Sequence, residues 1–453
     1  MTRAILLALL ILVVAVCAAW LKQNPGTVTI EWLGWRADTS VAMLAFVIAV
    51  ITVLGALVYR FWRFLLRLPV VIADALRLRR RRKGYEALSA GMIAAAAGDS
   101  DAAQKQARRA EALLEDLSAT RLLRAEAARM GGDAATAKRT YEEMSENPDT
   151  ALIGLRGLLD QAEADGDRTE ALRLAEKAHR QYPKARGIAE RLFHLQLDFG
   201  QWAAADRTLA EALRNKLFPV ADARRWRAAV LVERSRLAER GGELETALGF
   251  ARDAQQLDPD LVPAAAQHAR LLGQEGKARR AQRLLEKFWP RNPHPEIAAA
   301  YGALFEGEEP LQRVKRYQRL LSFRPDHPEG HIALAEAALE ASLWGEARAH
   351  LGEAAERALT PRICRLYADL EEAEHGNIVE SRHWLERAAA AEPDPAWVCD
   401  NCGSVAGAWV AQCGNCGGFD TMEWRQPPHA PRLPAEEAAK SLPRPAEPAE
   451  PAD

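Results

Sequence analysis

No glycine-rich G-x-G-x-x-G turn follows a strand pattern, and no phosphate loop ending in Lys-Ser/Thr occurs, so neither common nucleotide-binding signature is present. Neither Cys-x-x-Cys pair is followed by histidine: Gly403 and Gly417 stand after Cys402 and Cys416, so covalent c-type haem attachment is not indicated. Excess charge of one sign is lacking as well. The formal net charge is -2 over 453 residues, and nothing global argues for a nucleic-acid partner. Cysteine is scarce: of six, four crowd near the C-terminus, Cys17 lies in an apolar segment and Cys364 stands alone in a repeat helix. That placement suits a reducing compartment with one metal site, not a disulfide framework. The ten histidines are scattered; His327 and His331 straddle a helix start at Pro328 and read as ordinary surface residues.

What is present is a period of 34 residues from about Gly84 to Pro393. Gly98, Gly132, Gly166 and Gly200 keep that spacing, as do Gly242 and Gly276, and five residues after each comes an alanine: Ala103, Ala137, Ala171, Ala205, Ala247 and Ala281. The register returns at Ala347 and Ser381, and Ala110, Ala178, Ala212, Ala254, Ala354 and Ala388 sit seven residues further along the same helical face. A helix, a tight turn and a second helix fill about 34 residues, and small side chains let the two helices approach closely. Pro183, Pro259, Pro293, Pro325 and Pro393 close five of the units, because proline stops a helix. The pattern resembles the tetratricopeptide repeat. It predicts an all-α helical solenoid of about nine helical pairs over 84–393, one of them, around Tyr301 to Pro325, placed by its proline alone. A solenoid escapes the size limit of a single core, since each repeat packs only on its neighbours. Its groove would bind proteins or peptides, and the register puts Glu126, Arg129, Arg156, Asp160, His194, Arg236, Arg270 and Glu336 on that face. Both signs occur there, so no ligand charge follows.

Residues 1–83 read as a membrane anchor. Two apolar runs, about 4–21 and 41–59, are each long enough to cross the ~30 Å hydrocarbon layer. The loop between them, 22–40, balances Lys22 and Arg36 against Glu31 and Asp38, whereas Arg60, Arg63, Arg67, Arg77, Arg79–Arg82 and Lys83 crowd the juxtamembrane segment 60–83. Lys/Arg excess marks the cytoplasmic flank, so a hairpin with both ends cytoplasmic and a short periplasmic loop is expected. Met1 to Ala19 also fits a cleaved signal peptide, and the second run would then hold the repeats by itself. The basic run reads first as a topology signal and second as a contact for anionic head groups. Within the loop, Thr27 to Trp32 alternates as a strand would, with Gly34 placed to turn it.

The sharpest chemical signal spans 394–426. Cys399-Asp400-Asn401-Cys402-Gly403 and Cys413-Gly414-Asn415-Cys416-Gly417 are two knuckles that offer four thiolates to one ion. Zinc is the favoured ion and iron in a rubredoxin-like site the alternative, since tetrahedral sulfur suits both. A closed four-thiolate site keeps no open position for a substrate, which favours a structural or docking role over catalysis. Trp397, Trp409, Phe419 and Trp424 can supply a small core for the module. From 427 to 453 the chain is rich in Pro, Ala and Glu and is expected to be disordered.

Asn24-Pro25-Gly26, Val28, Ile30 and Trp32-Leu33-Gly34, the basic run, and Gly84-Tyr85 through Leu88, Gly91 and Gly98-Asp99 resemble the HemY family of proteobacterial inner-membrane repeat proteins. The likeness covers Met1 to Gly132 specifically and the later repeats generically. It implies an association with a late step of protohaem synthesis, with no assigned reaction. An unrelated flavin oxidase shares the name, and the missing dinucleotide signature separates this chain from it. The two knuckles look like the rubredoxin-type end of LapB, an inner-membrane adaptor that regulates lipopolysaccharide synthesis; that likeness makes Cys399, Cys402, Cys413 and Cys416 the metal ligands. LapB has a single span and this chain has two, so the HemY likeness ranks first. The expectation is a non-enzymatic scaffold at the cytoplasmic face, gathering late haem-pathway enzymes. A LapB-like adaptor in lipopolysaccharide synthesis or membrane proteolysis is the alternative, and a redox enzyme or haem carrier would require iron.

Overall fold

The computed structural model of the chain describes residues 9, 12, 15, 16, 19, 20, 26–32, 35–114 and 118–428. It divides into two compact units, Met1–Met144 and Ser145–Asp453. The first unit opens with an antiparallel hairpin of β1 (Thr27–Trp32) and β2 (Trp35–Ser40), in which Thr27 lies opposite Ser40 and Trp32 opposite Trp35. The alternation legible in the sequence is that of β1. Its partner β2 alternates as well, Trp35 and Ala37 against Arg36 and Asp38.

Ser40 ends the hairpin and caps α1 (Val41–Ala96), its Oγ accepting from the Met43 amide at 3.2 Å. α1 is one helix of 56 residues. Its segment Val41–Phe64 has a mean hydropathy of 2.9 and buries nothing against the protein, so it is long and apolar enough to cross a membrane. The expected first span, 4–21, falls outside the described residues apart from six helical positions, and so does the expected disordered tail from 429 onward. Where a separate repeat helix was expected to begin at Gly84, α1 runs on through the basic segment without a break. Its last turns pack on α2 (Ser100–Leu113) and α3 (Ser118–Met130), which α4 (Ala134–Glu146) follows. Gly84 and Gly91 make that packing possible: a Cβ would lie 2.5 Å from Leu114 Cγ at the first and 2.5 Å from Leu123 Cδ2 at the second. Ala87, Leu88, Ala107, Ala110, Leu114 and Leu123 form the core beneath them.

The second unit continues the helix pairs. They are α5 (Ala151–Ala164) with α6 (Arg168–Gln181), α7 (Arg186–Asp198) with α8 (Trp202–Arg214), and α9 (Val220–Arg240) with α10 (Leu244–Leu257). Then come α11 (Val262–Gln274) with α12 (Ala278–Phe288), α13 (Pro295–Gly302) with α14 (Pro310–Ser322), α15 (Pro328–Glu340) with α16 (Trp344–Arg357), and α17 (Pro361–His375) with α18 (Ile378–Ala390). The sheet β4-β3-β5, from β3 (Ala396–Cys399), β4 (Val405–Ala406) and β5 (Met422–Arg425), completes it. The all-α tetratricopeptide-like reading therefore holds, with two small sheets added.

The 34-residue period is a backbone requirement. Gly98, Gly132, Gly166, Gly200, Gly242 and Gly276 all have φ between 64° and 81°, the left-handed region open to glycine. The residue after each donates its amide to a carbonyl five positions back, as Asp99 does to Ala94 at 3.0 Å and Asp133 to Ala128 at 2.9 Å, which closes the first helix. Asp99, Asp133 and Asp167 then accept from the amide three residues on and open the second helix. The alanines five residues beyond the glycines are 0–1% exposed, so no larger side chain fits at the crossing. Ala388, on α18, is the member of the second alanine series left half-exposed, because among the described residues no further helix follows to cover it.

Ser342 occupies the glycine position of a later repeat with φ of 58°. A Cβ is disfavoured there, so Ser342→Gly is expected to stabilise the chain by about 1 kcal/mol, read as a higher denaturant midpoint in urea. An unchanged midpoint would show that its neighbours already relieve the strain.

Histidine does unexpected local work. His294-Pro295-Glu296 and His327-Pro328-Glu329 both open helices, each imidazole Nδ1 accepting from the glutamate amide, at 3.1 Å and 3.2 Å. Burial pushes His294 down to about 4, so at neutral pH the ring is uncharged and Nδ1 can accept. His331 Nδ1 lies 3.0 Å from His350 Nδ1. Sequence reasoning read His327 as an ordinary surface residue because imidazole is not a common cap.

Glu329 itself is buried and accepts from Arg362 at 2.8 and 3.1 Å, while the same guanidinium serves Glu336 at 2.8 Å and the Arg362 amide serves Asp394. Burial pushes its carboxyl up to about 7, with Arg362 opposing and the Glu336 and Asp394 charges adding. The folded chain holds this proton to higher pH than the unfolded chain, which releases it near 4.5. Stability should therefore fall as pH rises from about 4.5 to 7 and level off above, by about 3 kcal/mol at most. Urea unfolding of Glu329→Gln across that range should show a flatter profile; an identical slope in wild type and variant would assign the pH dependence elsewhere.

Candidate metal centre and repeat groove

The two knuckles fold alike and face each other. Gly403 donates its amide to the Cys399 carbonyl at 2.8 Å and Gly417 to the Cys413 carbonyl at 2.9 Å, with φ of 72° and 70° at the two glycines. Cys399 and Cys413 donate their own amides to the carbonyls of Ser404 and Gly418, both at 2.8 Å. The side chains cross over between knuckles: Asn401 Nδ2 lies 3.5 Å from Cys416 Sγ, and Asn415 Nδ2 lies 3.5 Å from Cys402 Sγ. The arrangement is a local two-fold relation, and its result is four sulfurs within 4.8 Å of one another. Cys399 Sγ to Cys416 Sγ is 3.7 Å and Cys402 Sγ to Cys413 Sγ is 3.8 Å. An ion with metal–sulfur bonds of about 2.3 Å in a regular tetrahedron needs sulfur–sulfur edges of about 3.8 Å.

Electrostatics agree with the geometry at Cys413 and Cys399, whereas at Cys416 the Gly418 amide and Asn401 are outweighed by burial and the neighbouring Cys402 and Cys399 thiols, which push it up. The amides of Cys416 and Asn415 hold the Cys413 thiol down at about 6. Cys399, despite burial, is also lowered by the Thr421 hydroxyl and the amides of Cys402 and Asn401. Donors aimed at sulfur favour thiolate, the form that binds metal. The four residues could hold a metal ion; the donor set does not distinguish zinc from iron.

The module does not stand apart from the repeats. Trp397, Trp409, Ala411 and Met422 share one buried cluster with Ala229, Leu231 and Val232 of α9, Ala254 of α10 and Ala264 of α11, and Cys399 and Cys413 belong to it. The aromatic residues expected to fill a private core mostly face the helices. Phe419 meets Phe193 of α7 edge to face with centroids 5.2 Å apart, and Trp397 Nε1 donates to Glu296 of α13 at 2.6 Å. Trp424 and Trp397 both pack on His294, at 4.3 and 5.3 Å. Polar contacts frame the docking surface: Gln412 donates to Asp198 at 2.9 Å, Arg236 donates to the Trp409 carbonyl at 3.1 Å, and Arg225 pairs with Asp420 at 2.7 Å. Burial pushes Asp420 up to about 6, with Arg225 opposing. The module thus bridges α7, α9, α11 and α13, the first helices of four successive pairs, on the face the repeat register assigns to the groove.

Beside it, between α5 and α7, the groove stays open over about 880 Å³, floored by Ile153, Ile188 and Leu195 and edged by Arg156, Arg191 and His194. Of the register's groove residues, Arg156 and His194 meet here, while Asp160 is engaged by Arg191. The others do not join them. Arg236 lies over the Trp409 ring, Arg270 is held by Glu239, Glu336 by Arg362, and Glu126 and Arg129 of the first unit pair with each other. Reading a repeat register locates a face, but ion pairs and the docked module decide which of its side chains remain available.

Comparison with known proteins bears on the whole chain. Residues 26–132 match the family model of the HemY protein N-terminus. The curated protein described as "Probable magnetosome protein Mms48", from Magnetospirillum gryphiswaldense, is 30% identical over 458 residues, covering 98% of each chain. Among solved structures, the tetratricopeptide protein YrrB, described as having an unusual peptide-binding site, is 15% identical over 42% of this chain and 95% of its own, with a TM-score of 0.28. The Naa15/Naa10 complex bound to HypK-THB is 13% identical over 70% of this chain and 51% of its own, with a TM-score of 0.38. With its N-terminal region matched and a relative aligned from end to end, the chain belongs to the HemY-like family of membrane-associated repeat proteins.

Proposed function

We propose that this chain is a non-enzymatic scaffold of the bacterial inner membrane that gathers or regulates enzymes of a late step in protohaem metabolism. In this reading residues 1–83 anchor it through two spans with both termini cytoplasmic, and 84–393 present the partner-binding groove. Residues 394–426 hold one zinc ion on Cys399, Cys402, Cys413 and Cys416, with iron as the alternative, and 427–453 form a disordered tail. The observation that carries the reading is the cysteine module seated across four first helices, with an apolar, arginine-edged groove left open beside it. A closed cage fused to a binding face is the equipment of an adaptor, because neither part offers a reactive position to a substrate. The family match adds the link to haem metabolism, and the arginine and lysine residues that follow Val41–Phe64 support the cytoplasmic orientation.

The docking of the module on the repeats also favours a second reading, a LapB-like adaptor in lipopolysaccharide synthesis or membrane proteolysis. Affinity capture from detergent-solubilised membranes, with metal content and visible spectrum read on the same preparation, separates the two. Late haem-pathway enzymes co-purifying with a zinc-loaded chain support the first. Recovery of a membrane protease or lipopolysaccharide enzymes, with porphyrin pools unchanged on deletion of the gene, refutes it in favour of the second.

A further inference from the structure

Between α10 and α12, the second helices of two successive pairs, lies a cavity of about 460 Å³ that no residue of the cysteine module lines. Its rim is cationic: Arg252 comes from α10, Arg280, Arg283 and Lys287 from α12, and Arg291 from just beyond. Arg252 is engaged by Asp253 at 3.3 Å, and Arg291 by Asp260 at 3.3 Å. Among the described residues, Arg280, Arg283 and Lys287 have no carboxylate within ion-pair distance. The single acid of α12, Glu286, is used elsewhere, pairing with Arg319 at 2.9 Å and accepting from Tyr301 at 3.0 Å. Three unpaired cations at positions i, i+3 and i+7 share one helical face and repel one another.

The cavity is built, not merely charged. His268, from α11, is 6% exposed and lies at its floor, with Nδ1 2.6 Å from Gln255 Oε1. Burial and the charges of Arg280 and Arg252 push it down to about 4, so the imidazole is neutral and adds no further repulsion. Pro259, Leu284 and Phe288 supply carbon walls.

We propose that this cavity binds a diphosphate group, carried either by a small soluble compound or by a phospholipid head group. Guanidinium forks match phosphate oxygens, and an ammonium adds a point charge. One phosphate carries about -1.5 to -2 charges and leaves about one of the three unpaired cations unbalanced, whereas two phosphates balance all three. A half-open cavity with its unpaired cations on a single helix, on a chain of net charge -2, lacks the long basic stripe that a nucleic acid backbone needs.

The test uses the full chain in detergent micelles and inorganic pyrophosphate as the probe, by isothermal titration at low salt. One saturable site is expected, weaker for orthophosphate, weakened about tenfold or more in the double variant R283Q/K287Q and weakened by added salt. Both substituted side chains are exposed, and glutamine keeps the helix, so the variant should retain the far-UV spectrum of the parent. Arg279→Gln, on the same helix but outside the cavity, should leave binding unchanged. No saturable site, or equal losses in R279Q and R283Q/K287Q, overturns the proposal. Repeating the titration in nanodiscs identifies the source: anionic lipid that blocks pyrophosphate points to a head group, and unaltered binding points to a soluble compound.

Discussion

Replacing Cys399 and Cys413 together with serine is expected to remove the metal from the purified chain and to free residues 394–426 from the repeats. One cysteine is taken from each knuckle, so neither half of the cage can hold an ion alone. Both residues also lie in the cluster that binds the module to α9 and α11, so the lost cage and the lost docking surface are the same atoms. Structural zinc contributes about 10–16 kcal/mol to the folding of small zinc-dependent peptides, far more than three short strands can supply without it. Metal analysis should fall from about one ion per chain to none, and the emission of Trp397 and Trp409, 6% and 2% exposed in the folded chain, should shift toward that of hydrated tryptophan. Proteolysis should then cut between Ala390 and Ala396 while α12–α17, whose clusters include no sulfur, stay protected. Native-like emission and protection in the metal-free variant would mean that docking precedes and does not need the ion.

Trp409→Ala is the complementary experiment, because it attacks the docking surface and spares the sulfurs. The indole is 2% exposed, packs with Leu231 and Val232, and stacks under the Arg236 guanidinium at 5.4 Å from its centroid. Truncating a buried tryptophan costs about 3–5 kcal/mol, which a small module held by one face cannot readily absorb. Metal content should stay at about one ion per chain while hydrogen exchange rises along α9 and α11. Should the variant lose its metal as well, cage and docking form one cooperative unit; should exchange stay unchanged, the Arg225–Asp420 and Gln412–Asp198 contacts hold the module by themselves.

Much of this architecture is legible before any coordinates. The six glycines at 34-residue spacing each need a positive φ, a constraint that acts on one residue and so leaves its mark at that residue. The buried alanines report helix crossings for the same local reason. The two Cys-x-x-Cys-Gly knuckles could be read as a cage because each closes on itself within five residues. Val41–Phe64 announces itself by composition. Less was visible where a device departs from the commonest residue, as at the His294 and His327 caps and at Ser342 in a glycine position.

By itself, then, the sequence determined the repeat, the apolar helix and the four-sulfur cage, all of which arise from interactions between residues close along the chain. Where the cage sits, which groove residues stay free and which cations are left unpaired depend on packing between residues far apart along the chain. Gln412 reaches Asp198 across 214 residues, Arg236 reaches the Trp409 carbonyl across 173, and the basic cavity collects side chains from 252 to 291, most of them on three helices. No periodicity encodes such meetings. They follow from how successive helix pairs are rotated on one another and from which apolar surface the last module finds to bury.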